Sequence, residues 1–267
     1  MANITTESRA EFSSKSKEIK AQVDTLLKKE KETAFKLRQS KDGVEYKKLE
    51  LAEMMLHIAS LYMSINTYSL KILDTKNNDA LNDARKIIYK AIIYMEEVVT
   101  NAVDCPFRDL EPTLEKIQAV PIEKRFYLVR KIGLSIDLLV DAFGKNSKWE
   151  LSFVELRARF AAIAKNFIDM KQAAKDYFDP ASKDYDNSVL YVRLIRKLLN
   201  KSADEYRAKY EGPTRRIDDM RQAINFLIAA RRVAMVLNDS ENSEEIRKKA
   251  LVWKQKMEAD QKDGSSK

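Results

Sequence analysis

The chain has 267 residues but only 5 Gly and 5 Pro, where average usage gives roughly 32 of the two together. That shortage excludes turn-rich sandwiches and barrels and doubly wound folds with glycine-rich phosphate loops. With 45% hydrophobic and 34% charged residues, a formal charge of +8 and one cysteine, the composition instead describes a basic chain of long helices that buries a sizeable core.

The breakers set the expected helices in chain order. The first runs from about Thr6 to Arg38 and stops near Lys41-Asp42-Gly43. Its apolar seam is weak (Phe12, Ile19, Val23, Leu26, Leu37) and is interrupted by Lys28-Lys29-Glu30-Lys31-Glu32. Half of it could therefore project as a polar arm or pair with another subunit, which leaves a homo-oligomer open. The second helix spans about Val44 to Leu73, with Leu51, Met54, Ile58, Leu61, Ile65, Tyr68 and Ile72 in steps of three and four. Thr75-Lys76-Asn77-Asn78 ends it and supplies the N-cap of a third helix, about Asp79 to Ala102. Pro106, Pro112 and Pro121 mark a connector holding at most a helical turn or two around Thr113 to Gln118.

Pro121 suits the first turn of a fourth helix reaching Phe143, with Gly144 as its C-cap. Ser147-x-x-Glu150 reads as a capping box opening a fifth helix that ends at Asp179-Pro180, with a seam of Phe153, Leu156, Phe160, Ile163, Phe167, Met170, Ala174 and Tyr177. A sixth helix begins near Asp186 and stops at Gly212-Pro213. The seventh covers about Thr214 to Leu237 and is apolar over most of its circumference, as expected of a central, buried helix. An eighth runs to about Asp260. The expected fold is all-α: about eight long, mostly antiparallel helices in an extended bundle or hairpin array. The whole reads as one helical domain over 1–260, with a candidate sub-boundary at 103–121 and a flexible tail at 261–267.

Catalytic constellations are missing. There is no GxGxxG, GxxxxGK[ST] or GxSxG, and no Glu-x-x-His of the di-iron bundles. His57, the one histidine, sits beside the second helix's seam and reads as packed or half-exposed. Cys105 follows a helix C-terminus, where the dipole disfavours a thiolate, and reads as an inert small residue. Glu96-Glu97 and Asp218-Asp219 read as solvated charges. The expectation is no enzyme, no metal and no cofactor.

The basic residues are uneven. Between Asn187 and Asn238 stand Arg193, Arg196, Lys197, Lys201, Arg207, Lys209, Arg215, Arg216, Arg221, Arg231 and Arg232 against five acids. Arginine favours bidentate contacts to phosphate or carboxylate. Arg231-Arg232 follow the most apolar stretch of the chain, so at least one should be partly buried on an acidic partner, and internal salt bridges to acids on other helices are the first account of these bases, a binding surface the second. The leading reading is a scaffold that binds a protein partner through a groove or helix face. Arg193, Arg196, Lys197, Arg215, Arg216, Arg231 and Arg232 are its candidate binding residues, with Arg193, Arg196, Arg215 and Arg216 expected in one groove for an acidic peptide. The alternative is nucleic acid, RNA above all, held by the basic 187–238 segment, with Tyr191, Tyr206 and Tyr210 as stacking platforms. An anionic membrane surface ranks below both. The N-terminus shows no secretory pattern and no 18-residue apolar run occurs, so a cytoplasmic location is expected.

Overall fold

The three-four spacing of apolar residues resolves into ten α-helices and no strand among the described residues, the all-α class expected. The structure, a computed structural model, describes residues 5–40, 42–145 and 147–265, so Lys41 of the expected first turn and the end of the tail lie outside the described residues. The helices are α1 (Thr6–Leu37), α2 (Val44–Leu73), α3 (Asn78–Val99), α4 (Phe107–Glu115), α5 (Ile122–Phe143), α6 (Glu150–Asn166), α7 (Met170–Tyr177), α8 (Tyr185–Lys209), α9 (Ile217–Val236) and α10 (Ser240–Ser265). A π-helical turn, Tyr210–Thr214, separates α8 from α9.

Local chemistry explains most boundaries. Asn77 Oδ1 accepts from the Ala80 N–H at 3.0 Å, capping α3 as its polar lead-in predicts. Gly144 closes α5 with φ +74° and its N–H on Val140 O at 3.0 Å, a conformation glycine adopts at no steric cost. Four boundaries depart from expectation. The connector forms a nine-residue helix, α4, starting at Phe107 and containing Pro112. The N-cap position of α6 falls at Trp149, which makes no side-chain cap bond, two residues beyond the expected cap at Ser147. The fifth expected helix breaks into α6 and α7 at Phe167–Asp169, where Asp169 Oδ1 takes the Gln172 N–H at 3.0 Å. Its apolar seam nonetheless stays buried from Phe153 through Ala174. Finally, α10 continues past Asp260 to Ser265.

Tertiary contacts divide the chain into two compact units, and the division falls inside α5 between Tyr127 and Leu128. The first comprises residues up to Val98 together with Leu128–Ser147. Its core holds Leu51, Met55, Ile58 and Ile65 of α2 and Leu81, Ile88, Ile92 and Met95 of α3, all at most 1% exposed. Because α2 also buries Ala52, Leu56 and Ala59, it is covered over a wider arc than its seam alone implies. α1 packs along α2, with the Lys15 ammonium 5.1 Å from the Tyr68 ring centre and Val23 fully buried. The charged run that interrupts its seam carries the anchor. Glu30 is 2% exposed and accepts from Lys90 Nζ at 2.7 Å and from Tyr94 Oη, both on α3.

The second unit comprises Val99–Tyr127 and the chain from Lys148 onward. α9 packs between α8 and α10. Its pairings with α8 run antiparallel, from Lys209–Asp219 at one end to Arg196–Asp239 at the other. α9 is central, as expected, yet not covered all round, for Ile228 and Met235 stay 37% and 54% exposed on one stripe with Arg221. No helix among the described residues is long and apolar enough to cross a membrane.

The α1 anchor yields a stability prediction. Glu30→Ala removes the acceptor shared by Lys90 and Tyr94 and should cost about 2–3 kcal/mol in urea unfolding. Glu50→Ala, which breaks only the exposed Lys47 pair, should cost less than about 1 kcal/mol.

Candidate functional site

The eleven basic residues of 187–238 separate into those spent inside the fold and those turned outward. Arg196 Nη2 binds Asp239 Oδ2 at 2.8 Å, Arg207 Nε binds Glu211 at 3.0 Å and Arg221 Nη1 binds Asp218 at 3.1 Å. Lys209 meets Asp219 at 2.8 Å, and Lys201 lies 4.0 Å from Glu205. Asp219, expected to be solvated, is only 6% exposed and also takes the Thr214 hydroxyl at 2.6 Å. Arg207 and Lys249 further flank the buried Trp253 ring at 5.0 and 4.8 Å.

The four arginines expected to share a groove do not come together. Arg193 and Arg196 lie on the first half of α8, whereas Arg215 and Arg216 follow the π-turn beyond its other end. The stretch of α8 from Arg196 to Lys209 alone rises about 20 Å. Arg215 holds the left-handed region at φ +53°, and both it and Arg216 are exposed. Arg231 and Arg232 are half-buried, but neither has the carboxylate bond expected. Arg232 Nη1 donates to the backbone carbonyl of Asp104, and Arg231 Nε is buried without a hydrogen-bond partner among the described residues.

What the structure does assemble is a row on the outer side of α8. At 100° per residue, Leu190, Arg193, Leu194, Lys197 and Lys201 fall within about 100° of arc. Leu190 is 49% exposed. Arg193 and Lys197 are exposed with no side-chain partner among the described residues. The three tyrosines proposed as stacking platforms face inward instead. Tyr191, Tyr206 and Tyr210 are all at most 9% exposed. Tyr191 stacks on Phe126 at 5.4 Å, Tyr206 stacks on Phe226 at 6.0 Å, and Tyr210 donates to Asp260.

A second polar assembly was not legible in the sequence. Outside a helix, carbonyls lack the partners a helix gives them. In the segment after α3, side chains supply the donors. Asn166 Nδ2 donates to Thr100 O and Ala102 O, each at 3.1 Å. Lys165 Nζ donates to Cys105 O and to Asn166 Oδ1. Arg125 reaches Val120 O at 2.9 Å, Ile117 O at 2.8 Å and Phe167 O at 3.3 Å. Thr100 occupies the left-handed region at φ +66°, a strained conformation for a β-branched residue, at the point where Asn166 grips it. Lys165 is fully buried, and burial pushes its ammonium down to about 8, with the Arg232 charge acting in the same direction. The only sequence signal for this clamp is a lone Lys-Asn pair inside the otherwise apolar Ala161–Ile168 run.

Cys105 is a half-buried free thiol and His57 is exposed. Among the described residues no three His, Cys, Asp or Glu side chains converge to hold a metal ion. The sequence model of the TP0443 family matches residues 8–261. The chain belongs to this family. No curated protein and no solved structure matches it. Membership in the TP0443 family brings no activity or ligand with it, so the function rests on the surfaces above.

Between pH 8 and 10.5 the unfolded chain holds the Lys165 proton more tightly than the folded chain does. Stability of the native protein relative to Lys165→Met should therefore rise across that window, by up to about 3 kcal/mol in urea midpoints taken at pH 7, 8.5 and 10. The Tyr191 hydroxyl is buried with no partner among the described residues. Tyr191→Phe should leave stability unchanged or raise it by about 1 kcal/mol, read as a shift in thermal midpoint.

Proposed function

We propose that the chain is a non-enzymatic interaction protein of the cytoplasm that offers the outer row of α8 to an acidic helix of a protein partner. The observation that carries this reading is the coincidence of exposed Leu190 with the unpaired cations Arg193 and Lys197 on one helix face. Leu190 and Leu194, four apart beside basic residues, match an amphipathic helix whose acidic residues flank its own apolar stripe. The placement departs from a groove joining both ends of α8 and keeps only the residues at its first half.

The internal pairing supports a protein partner over RNA. All five acids of the basic segment are engaged in ion pairs, which leaves a mosaic of paired charge and a short unpaired row. The inward tyrosines remove the aromatic surface on which bases would stack.

Placing a photo-crosslinking residue at Leu194 in cells tests the reading. A discrete protein adduct is expected, lost in the Arg193→Glu/Lys197→Glu variant and kept when the crosslinker-bearing chain carries Arg216→Glu. A nuclease-sensitive adduct would replace this reading with RNA binding. Equal crosslinking by the charge-reversed chain would overturn the α8 placement.

A further inference from the structure

In a chain of net charge +8, one cavity of the second unit is acidic. It encloses about 530 Å³ between α4, the start of α5 and the α6–α7 turn with α7, within the size range of small-molecule sites. Five carboxylates border it, Glu111, Glu115, Asp169, Asp176 and Asp184, against two cations, Arg125 and Lys171. Arg125 is directed at the carbonyls of Ile117, Val120 and Phe167, and Lys171 is exposed at the rim.

The inner carboxylate is the telling one. Asp176 is only 9% exposed. Its Oδ1 accepts from Ser182 Oγ at 2.8 Å and Gln172 Nε2 at 3.2 Å, both neutral donors. Both bonds go to Oδ1, neither comes from a cation, and the residue lines the cavity. Buried charges in proteins are paired, and this one makes no ion pair among the described residues. Nearer the mouth, Glu111 and Glu115 stand one turn apart on the exposed side of α4. Asp184 sits at the N-cap of α8 without a side-chain cap bond. Asp169 is already used as the cap of α7.

The arrangement selects among cations. No three of these carboxylates converge tightly enough for a metal ion. They are spread along a wall that also contains Phe107, Leu114, Ile122 and Met170. Spaced negative charges separated by apolar surface fit a chain of methylenes carrying ammonium groups. We propose that this cavity binds a primary alkyl ammonium. Its bearer is a linear polyamine or the lysine side chain of a peptide. The inner ammonium pairs with Asp176 and the outer charge rests among Glu111, Glu115 and Asp184. The site is separate from the α8 row and does not depend on that reading.

Calorimetric titration of the full chain at moderate salt tests it, with spermidine in one arm and a short acetylated dilysine peptide in the other. One-to-one binding is expected in at least one arm, and the arm that binds names the source. Asp176→Asn should weaken binding at least tenfold while circular dichroism is unchanged. Should that variant fail to fold, Glu111→Gln/Glu115→Gln on the exposed wall should still weaken it severalfold. The Arg193→Glu/Lys197→Glu chain should bind as the native one does. No heat in either arm, undiminished binding by a folded Asp176→Asn, or equal competition by equimolar Mg²⁺ would overturn the proposal.

Discussion

In a chain made almost wholly of long helices, the difficult residues are those between the helices, because every carbonyl there must find a donor outside the helical ladder. The long segment from Thr100 to Pro121 meets that demand with side chains from the helices around it. Asn166 and Lys165 come from the end of α6, Arg125 from the first turn of α5 and Arg232 from α9. The first unit solves the same problem on a smaller scale. Asn66 of α2 accepts from the Asn77 N–H, Ser69 donates to Thr75 O, and Lys76 donates to Phe143 O at 2.7 Å. Interruptions are thus held by donors and acceptors reaching out of neighbouring helices, and the acidic cavity borders on one of them, since Arg125 both lines it and grips the connector.

That device explains what periodicity could and could not read. The bounds of α2 and α5 coincide with the expected ones because Gly43, the polar Thr75-Lys76-Asn77-Asn78 stretch, Pro121 and Gly144 carry local signals. The break between α6 and α7 contains neither Gly nor Pro and leaves the apolar seam in register, so nothing in the spacing announces it. Asp169 three residues before Gln172 was the available cue, and it is a weak one inside a strong seam. Glu30, Arg125, Lys165, Asn166 and Asp176 escaped for a common reason. A hydrophobic pattern assigns polar residues to water, and a buried polar group is identified only by its partner, which lies 60 or more residues away for Glu30, Lys165 and Asn166 and across a turn for Asp176.

Net charge proved a poor guide to surface for the same reason. The basic excess of 187–238 is real as composition, but Arg196, Arg207, Lys209, Arg221 and Arg232 already meet carboxylates or a carbonyl of the fold. Conversely, the acids that line the cavity come from three separate stretches of sequence, so no local window shows their accumulation. A charge count over a segment sums residues that helices turn in different directions. The relevant sum runs over a face.

The two faces of α8 are under different constraints. Its inner side is closed, with Ser188, Tyr191, Val192, Ile195 and Leu199 all without exposure. Its outer side holds Arg193 and Lys197, which touch nothing whose loss would open that core. Exposed substitutions away from caps and ion pairs shift stability by about half a kcal/mol or less. Charge on the outer row is therefore free of the folding constraint that fixes the inner one. A surface freed in this way can vary while the bundle beneath it stays the same. That independence is what an interaction helix requires, and it distinguishes the α8 row from Arg196, Lys209 and Arg232, whose charges the fold already uses.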